Sequence, residues 1–194
     1  MTDVKQRTRR LTETAAMLAL LICLQWAGSQ IPDLTTKQLI SGSLVNCVLA
    51  MTTLMVGISG GMILAVISPV CAFLLGIAPN FITVAPIMLG NSLYVLLLWL
   101  FLGKERKPLW KQPVALVAAA VVKFAVLYLL VVQVVCGLAS GVLLGKKLGT
   151  IVVLAPPMLQ MLPAMFSWLQ LVTALTGGAL ALGLVQVLKK ALHR

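Results

Sequence analysis

Residues 113–135 read PVALVAAAVVKFAVLYLLVVQVV, a run with one charge, Lys123, and one amide, Gln133. A bilayer's hydrocarbon core is about 30 Å thick and takes about 20 apolar residues as a helix. Proline opens the run, where a helix tolerates it because the missing N–H belongs to the unpaired first turn. The stretch predicts a membrane-spanning helix, and the sequence on either side shows how many others accompany it.

Upstream, residues 84–102 predict a second such helix, which stops at Lys104-Glu105-Arg106-Lys107. Before it, 62–77 is a short apolar run, kinked or interrupted at Pro69. Residues 42–58 form another, closed by Ser59-Gly60-Gly61, and 11–28 form the first, ending before Ser29-Gln30-Ile31-Pro32-Asp33. Downstream, 163–188 is the last and ends at Lys189-Lys190. Between the fifth and the last lies 136–162, which carries Gly137, Gly141, Gly145, Gly149, the Lys146-Lys147 pair and Pro156-Pro157. Broken backbone in lipid leaves amides and carbonyls unpaired at several kcal/mol each, so this segment is expected to be a structured loop at one surface of the bundle. A seventh span is the alternative. The expected fold is an all-α integral membrane protein, a single domain over 1–194 with six transmembrane helices.

Composition agrees. The 194 residues are 61% hydrophobic and 10% charged, with mean hydropathy +1.08; soluble domains hold roughly 45–50% apolar and about 25% charged residues. A net charge of +11 would suit a nucleic-acid binder, but the basic residues sit in short runs flanking apolar segments, which argues for a membrane protein without a nucleic-acid partner. With six spans, one side collects Lys5, Arg7, Arg9, Arg10, Lys104, Arg106, Lys107, Lys111, Lys189, Lys190 and Arg194, and the other only Lys37, Lys146 and Lys147. The positive-inside rule then puts both termini in the cytoplasm. The basic start, the apolar run and Ala27-Gly28-Ser29 also fit a cleaved signal peptide. Cleavage would leave five spans and a C-terminus on the wrong side, so the first run is expected to stay.

No catalytic set is present in the sequence. The acidic residues Asp3, Glu13, Asp33 and Glu105 lie at segment ends or in loops, so no two carboxylates share a mid-membrane face for acid–base work. His193 is the one histidine, and Cys23, Cys47, Cys71 and Cys136 lie in apolar stretches without metal-ligand spacing. Gly141-x-x-x-Gly145-Lys146-Lys147 is too short for a phosphate loop and no Ser or Thr follows the lysine. Neither an enzyme nor a metal or cofactor site is expected, and any ATP-driven step belongs to another chain.

Polar side chains within the apolar runs are the remaining candidates. Lys123 lies ten residues into its helix, roughly 15 Å deep at 1.5 Å per residue. A membrane-centred lysine costs at least ~2.5 kcal/mol, so it faces the bundle interior or a cavity. It either snorkels or bonds helix carbonyls, or it meets an electronegative group of a substrate. On an ideal helix Gln133 lies about 80° from Lys123, so both are expected to line one cavity at different depths. Asn46 and Asn91 either tie helices together or line the same pocket. Ser167, Gln170, Thr173, Gly177 and Ala181 form a polar-to-small stripe for close packing, with Gln170 and Trp168 as ligand candidates near its outer end. Trp26 fits an interfacial anchor. On the first helix Ala15, Ala19 and Cys23 recur every four residues and make a narrow small-residue face.

Together these features resemble the substrate-binding S component of an energy-coupling factor (ECF) micronutrient transporter. The resemblance rests on Ala15-x-x-x-Ala19 and on the Ile31-Pro32 loop leading into Thr-rich sequence and Gly42-Ser-Leu-Val-Asn46. The Ser68-Pro69 break and Gln170-Leu-Val-Thr-Ala-Leu-Thr-Gly-Gly-Ala179 add to it. It implies a multi-pass protein of the bacterial cytoplasmic membrane that binds a vitamin or similar micronutrient from outside. The pocket would lie among the outer ends of helices four to six, with loops 29–41 and 136–162 as lids. The implied partners are a transmembrane T subunit and two ATPase subunits. Ala15 and Ala19 would dock on the T subunit while the S component topples to deliver its substrate. Substrate identity does not carry over. A self-contained permease or channel would need a polar path, preferably with an acidic proton relay, which this chain lacks. A scaffolding subunit would need no pocket.

Overall fold

The computed structural model describes residues 3–78, 80–103, 110–148 and 151–191. The basic cluster at Lys104, Arg106 and Lys107, together with Glu105, Gly149, His193 and Arg194, lies outside the described residues.

Helix α1 (Asp3–Ser29) begins well before the apolar run. Its basic arm is helical because local bonds support it: the hydroxyls of Thr8 and Thr12 donate to carbonyls one turn back, and Arg9 pairs with Glu13 at 3.0 Å. Helix α2 (Leu34–Met55) also starts earlier than expected. Asp33 is its N-cap, taking the Thr36 N–H on Oδ2 at 2.7 Å, so residues 34–41 are helix and only a tight turn joins α1 to α2. A lid over 29–41 is therefore replaced by the first two turns of α2.

Gly57, at φ +112, breaks the chain between α2 and α3 (Ile58–Leu74). That conformation suits glycine, which has no Cβ to collide with its own carbonyl. Ser59, Gly60 and Gly61 belong to the start of α3, where both glycines are buried between neighbours rather than forming a loop. Pro69 lies inside a helix that continues to Leu74, so it does not interrupt the run. It deprives the Ala65 carbonyl of its usual donor. A 3-10 turn (Phe81–Thr83) leads into α4 (Val84–Leu102), and α5 (Lys111–Leu127) follows.

Beyond Leu127 the helix widens into π geometry over Tyr128–Leu138 and closes with the Ala139 N–H on the Val134 carbonyl at 2.8 Å. A one-turn helix α6 (Ser140–Leu143) and a two-residue antiparallel pair, β1 (Lys147–Leu148) with β2 (Ile151–Val152), come next. The last apolar run begins at Met158, not at Pro163. Pro163 sits within α7 (Met158–Phe166), and the break falls at Ser167, before α8 (Trp168–Ala191). The described part of segment 136–162 is thus structured, but nearly half of the segment is helical. Its buried residues Leu154 and Leu162 pack with Leu127, Val131, Val135, Met165 and Phe166 into one apolar cluster.

Five segments are long and apolar enough to cross a bilayer: Val4–Ser29, Leu34–Met55, Phe81–Leu102, Lys111–Leu138 and Met158–Ala191. Helix α3, at 17 residues, is a shorter sixth apolar helix. Large apolar side chains such as Val114, Val117, Val121, Leu180, Leu184 and Val187 point outward, a surface that lipid accepts and water does not. Lipid is as apolar as leucine, so the helices associate through close packing and hydrogen bonds rather than through burial from water. Ala119, Ala120, Ala174 and Ala181 are buried, and α2 and α8 run side by side in the same direction, joined by Ser43 Oγ and Thr176 Oγ1 at 2.7 Å. At this seam a Cβ on Gly177 would collide with the Ser43 carbonyl oxygen. Helix α5 runs opposite to α8, with Gln186 Nε2 donating to Gln112 Oε1 at 3.1 Å.

This alternation creates two poles. The terminal pole gathers the start of α1, the ends of α2, α4 and α8, and the starts of α3 and α5. The opposite pole gathers the start of α2, the π turns, the strand pair and the α7–α8 break.

Candidate functional site

Lys123 sits on the inner face of α5, with Ala119, Ala120 and Leu127, and is 3% exposed. Its Nζ donates to Asn46 Oδ1 of α2 at 2.5 Å and to Asn91 Oδ1 of α4 at 2.7 Å. It also lies 5.4 Å from the centre of the Tyr94 ring, a face that attracts cations. The bonding continues outward. Asn46 Nδ2 reaches Thr173 Oγ1 at 3.5 Å, Thr173 Oγ1 donates to the Gln170 carbonyl at 3.1 Å, and Tyr94 donates its hydroxyl to the Ala174 carbonyl at 3.1 Å. Four helices are therefore tied around the Lys123 amine, which meets two neutral amides and an aromatic ring.

This cluster forms the floor of a cavity of about 140 Å³ at the pole opposite the termini. Helix α2 supplies Lys37, Gln38, Ser41 and Asn46, α1 supplies Gln25, and Pro69, Asn91, Phe166 and Gln170 come from α3, α4, α7 and α8. The pocket expected among helices four to six thus draws as much on the second helix, because the capped start of α2 carries polar side chains into the bundle. Gln170 also secures the break beside it: its Nε2 donates to the Met165 carbonyl at 3.2 Å, a group that the end of α7 leaves without a helical donor. Two shielded oxygens of cavity-lining residues, Gln25 Oε1 and Ser41 Oγ, lack a hydrogen-bond partner among the described residues, as does the nearby Ser68 Oγ.

The family described as ECF transporter, substrate-specific component, matches residues 9–188. The chain belongs to that family. Comparison with curated proteins and with solved structures gives no match. As an ECF substrate-specific component it is a membrane transport subunit that serves substrate recognition, and its several long apolar helices suit that setting.

Of the residues singled out in this S component's sequence, Lys123, Asn46, Asn91 and Gln170 line the cavity together. Gln133 and Trp168 do not. Gln133 is exposed and donates to the Tyr128 hydroxyl at 3.2 Å. The π turns advance about 80° per residue instead of 100°, which carries Gln133 to the far side of the helix from Lys123. Trp168 opens α8 just past the break and is 60% exposed, so its ring faces outward. Gln25, Lys37, Gln38 and Ser41 escaped the sequence reading. The Asp33-x-x-Thr36 capping pattern would have brought the α2 residues into view by starting the helix eight residues sooner. Gln25 had its own signal, an amide close to the end of an apolar helix. On α1, Ala15, Ala19 and Cys23 are all exposed, while Thr14, Leu21 and Gln25 face the bundle.

Proposed function

We propose that this ECF S component captures a vitamin or similar micronutrient in the Lys123 cavity from the outer side of a bacterial cytoplasmic membrane. Six helices then cross the bilayer, with α3 as the short sixth and both termini in the cytoplasm. The observation that carries this reading is the position of the cavity. It lies at the pole away from the basic termini, lined by Lys123, Asn46, Asn91 and Gln170. An outward-facing site of this kind needs a way to release substrate inward. A T subunit and two ATPase subunits supply it by engaging the Ala15 and Ala19 face, whose exposed small side chains let a partner helix approach closely.

Replacing Ala15 and Ala19 together by tryptophan separates docking from capture. The isolated variant should bind substrate as the wild type does, while uptake and co-purification with the T and ATPase subunits fail. An intact complex with lost binding would sink the docking assignment. In a cysteine-free background, impermeant maleimide should label a cysteine at position 146 from outside the cell and spare one at 189; the reverse pattern would invert the topology.

A further inference from the structure

Resting on the capture reading, we propose that the substrate is a small carboxylate monoanion that also carries a hydrogen-bond donor, its carboxylate on Lys123 and its donor on Gln25 Oε1. Lys123 is buried at the cavity floor with no acidic side chain in the cavity lining. Among the described residues, Glu13 pairs with Arg9 at the terminal pole, and Asp33 is occupied at the cap of α2. An ammonium has three N–H groups, and two are taken by Asn46 and Asn91. The floor therefore holds an amine without a counter-charge, and an incoming anion would hold it in its charged form. Lys37, on the first turn of α2, adds a second cation to the lining.

The chemistry of the neighbours narrows the anion. Asn46 and Asn91 both turn carbonyl oxygens toward Nζ, and these repel further anionic oxygens. A phosphate presents three strong acceptors and up to two charges and wants several converging donors. A carboxylate needs one strong donor and leaves the carbonyls undisturbed. In the lining, Gln25 is 9% exposed and its Oε1 has no partner among the described residues, nor has Ser41 Oγ, which lies against Gly28 of α1. An unfilled buried acceptor is costly and is met by a ligand N–H or O–H. Ile87, Leu127 and Phe166 give the body of the ligand apolar walls. At about 140 Å³ the space is below the roughly 300–1,000 Å³ of drug-sized sites, so the molecule is compact.

The test uses the full chain in lipid nanodiscs and the small-molecule fraction of yeast extract, split on an anion exchanger at neutral pH into retained and unretained pools. The retained pool should raise the melting temperature and the unretained pool should not. Phosphatase treatment of the retained pool should leave the shift intact, and carbodiimide coupling to methylamine, which masks carboxylates, should abolish it. Lys123→Met should need about 10- to 150-fold more of the pool for half the shift, the loss of a charge-assisted bond, and Gln25→Leu about 2- to 10-fold more. Stabilisation by the unretained pool, loss after phosphatase, survival after amidation or an unchanged dose for Lys123→Met each overturns the carboxylate assignment and leaves capture standing. An unchanged dose for Gln25→Leu overturns the donor half. If neither pool stabilises the wild type, the capture reading itself fails and takes this assignment with it. The amidation arm requires no variant, so the charge claim stays testable even if Lys123→Met does not fold.

Discussion

At the terminal pole, α2, α4 and α8 end and α5 begins as ordinary α-helix, and basic residues such as Lys5, Arg10, Lys111, Lys189 and Lys190 gather there. At the cavity pole the backbone departs from that pattern at several elements: a side-chain cap starts α2, π turns extend α5, a strand pair follows, and Ser167 splits α7 from α8. The regular pole carries a polar cleft lined by Arg9, Arg10 and Glu13. The irregular pole encloses the cavity and its unpartnered polar atoms. A regular helix spends its amides and carbonyls on itself, so it offers a ligand only side chains. Breaks and wide turns hold helices apart and leave room for a guest, and they are tolerated at membrane depth only where protein covers them.

Substitutions that strike one pole and not the other sharpen this contrast. The largest effect is expected at the seam both poles share. Gly177→Val would press a side chain into the Ser43 backbone, which cannot yield as a flexible side chain can. The cost should be about 3 kcal/mol or more, separating α2 from α8. Thermal unfolding in nanodiscs should shift far down, and a variant that melts like the wild type would mean that the seam is looser than its geometry states.

A middle-sized and local effect is expected from Asn80→Ala. Asn80 is 5% exposed, and its Nδ2 donates to the Val153 carbonyl and lies 3.3 Å from Met158 Sδ, fastening the strand pair beside the cavity. Its loss should cost about 1–2 kcal/mol. Amide exchange should accelerate at Gly145 and Val153, whose N–H groups bond within this cap, and remain unchanged in α2 and α8. Exchange that rises equally across the bundle would show that the cavity pole is not a separable unit.

The smallest effect is expected from Asp33→Ala. Hydrogen bonds from Thr36, first from its hydroxyl and then from its N–H, hold the Asp33 carboxyl below its ordinary pKa. A carboxylate whose folded pKa is depressed contributes fully above its unfolded value, and that contribution disappears as pH falls through the lowered one. The variant should melt slightly lower than wild type at neutral pH, and the two should converge in acid. A gap that persists in acid would assign the cap's effect to something other than the charge.

The membrane class, the apolar helices and the family were legible in the sequence because their physics is local. Each residue's cost in lipid is set by its own side chain, so runs such as 113–135 declare themselves, and a lone lysine among them is driven inward wherever its neighbours lie. The small-residue face of α1 could be read for the same reason, from spacing alone. Only the tertiary structure decided which groups meet Lys123. Asn46 and Asn91 lie 77 and 32 residues away, and their bonds exist because α2 and α4 pack against α5. It also moved Gln133 off the cavity, since π geometry turns the helix by an amount that a 3.6-residue period does not contain. It brought in Gln25 and Ser41, whose unfilled oxygens become visible only once every neighbour is in place. Hydrogen-bond satisfaction belongs to the whole packed bundle, and no single stretch of chain encodes it.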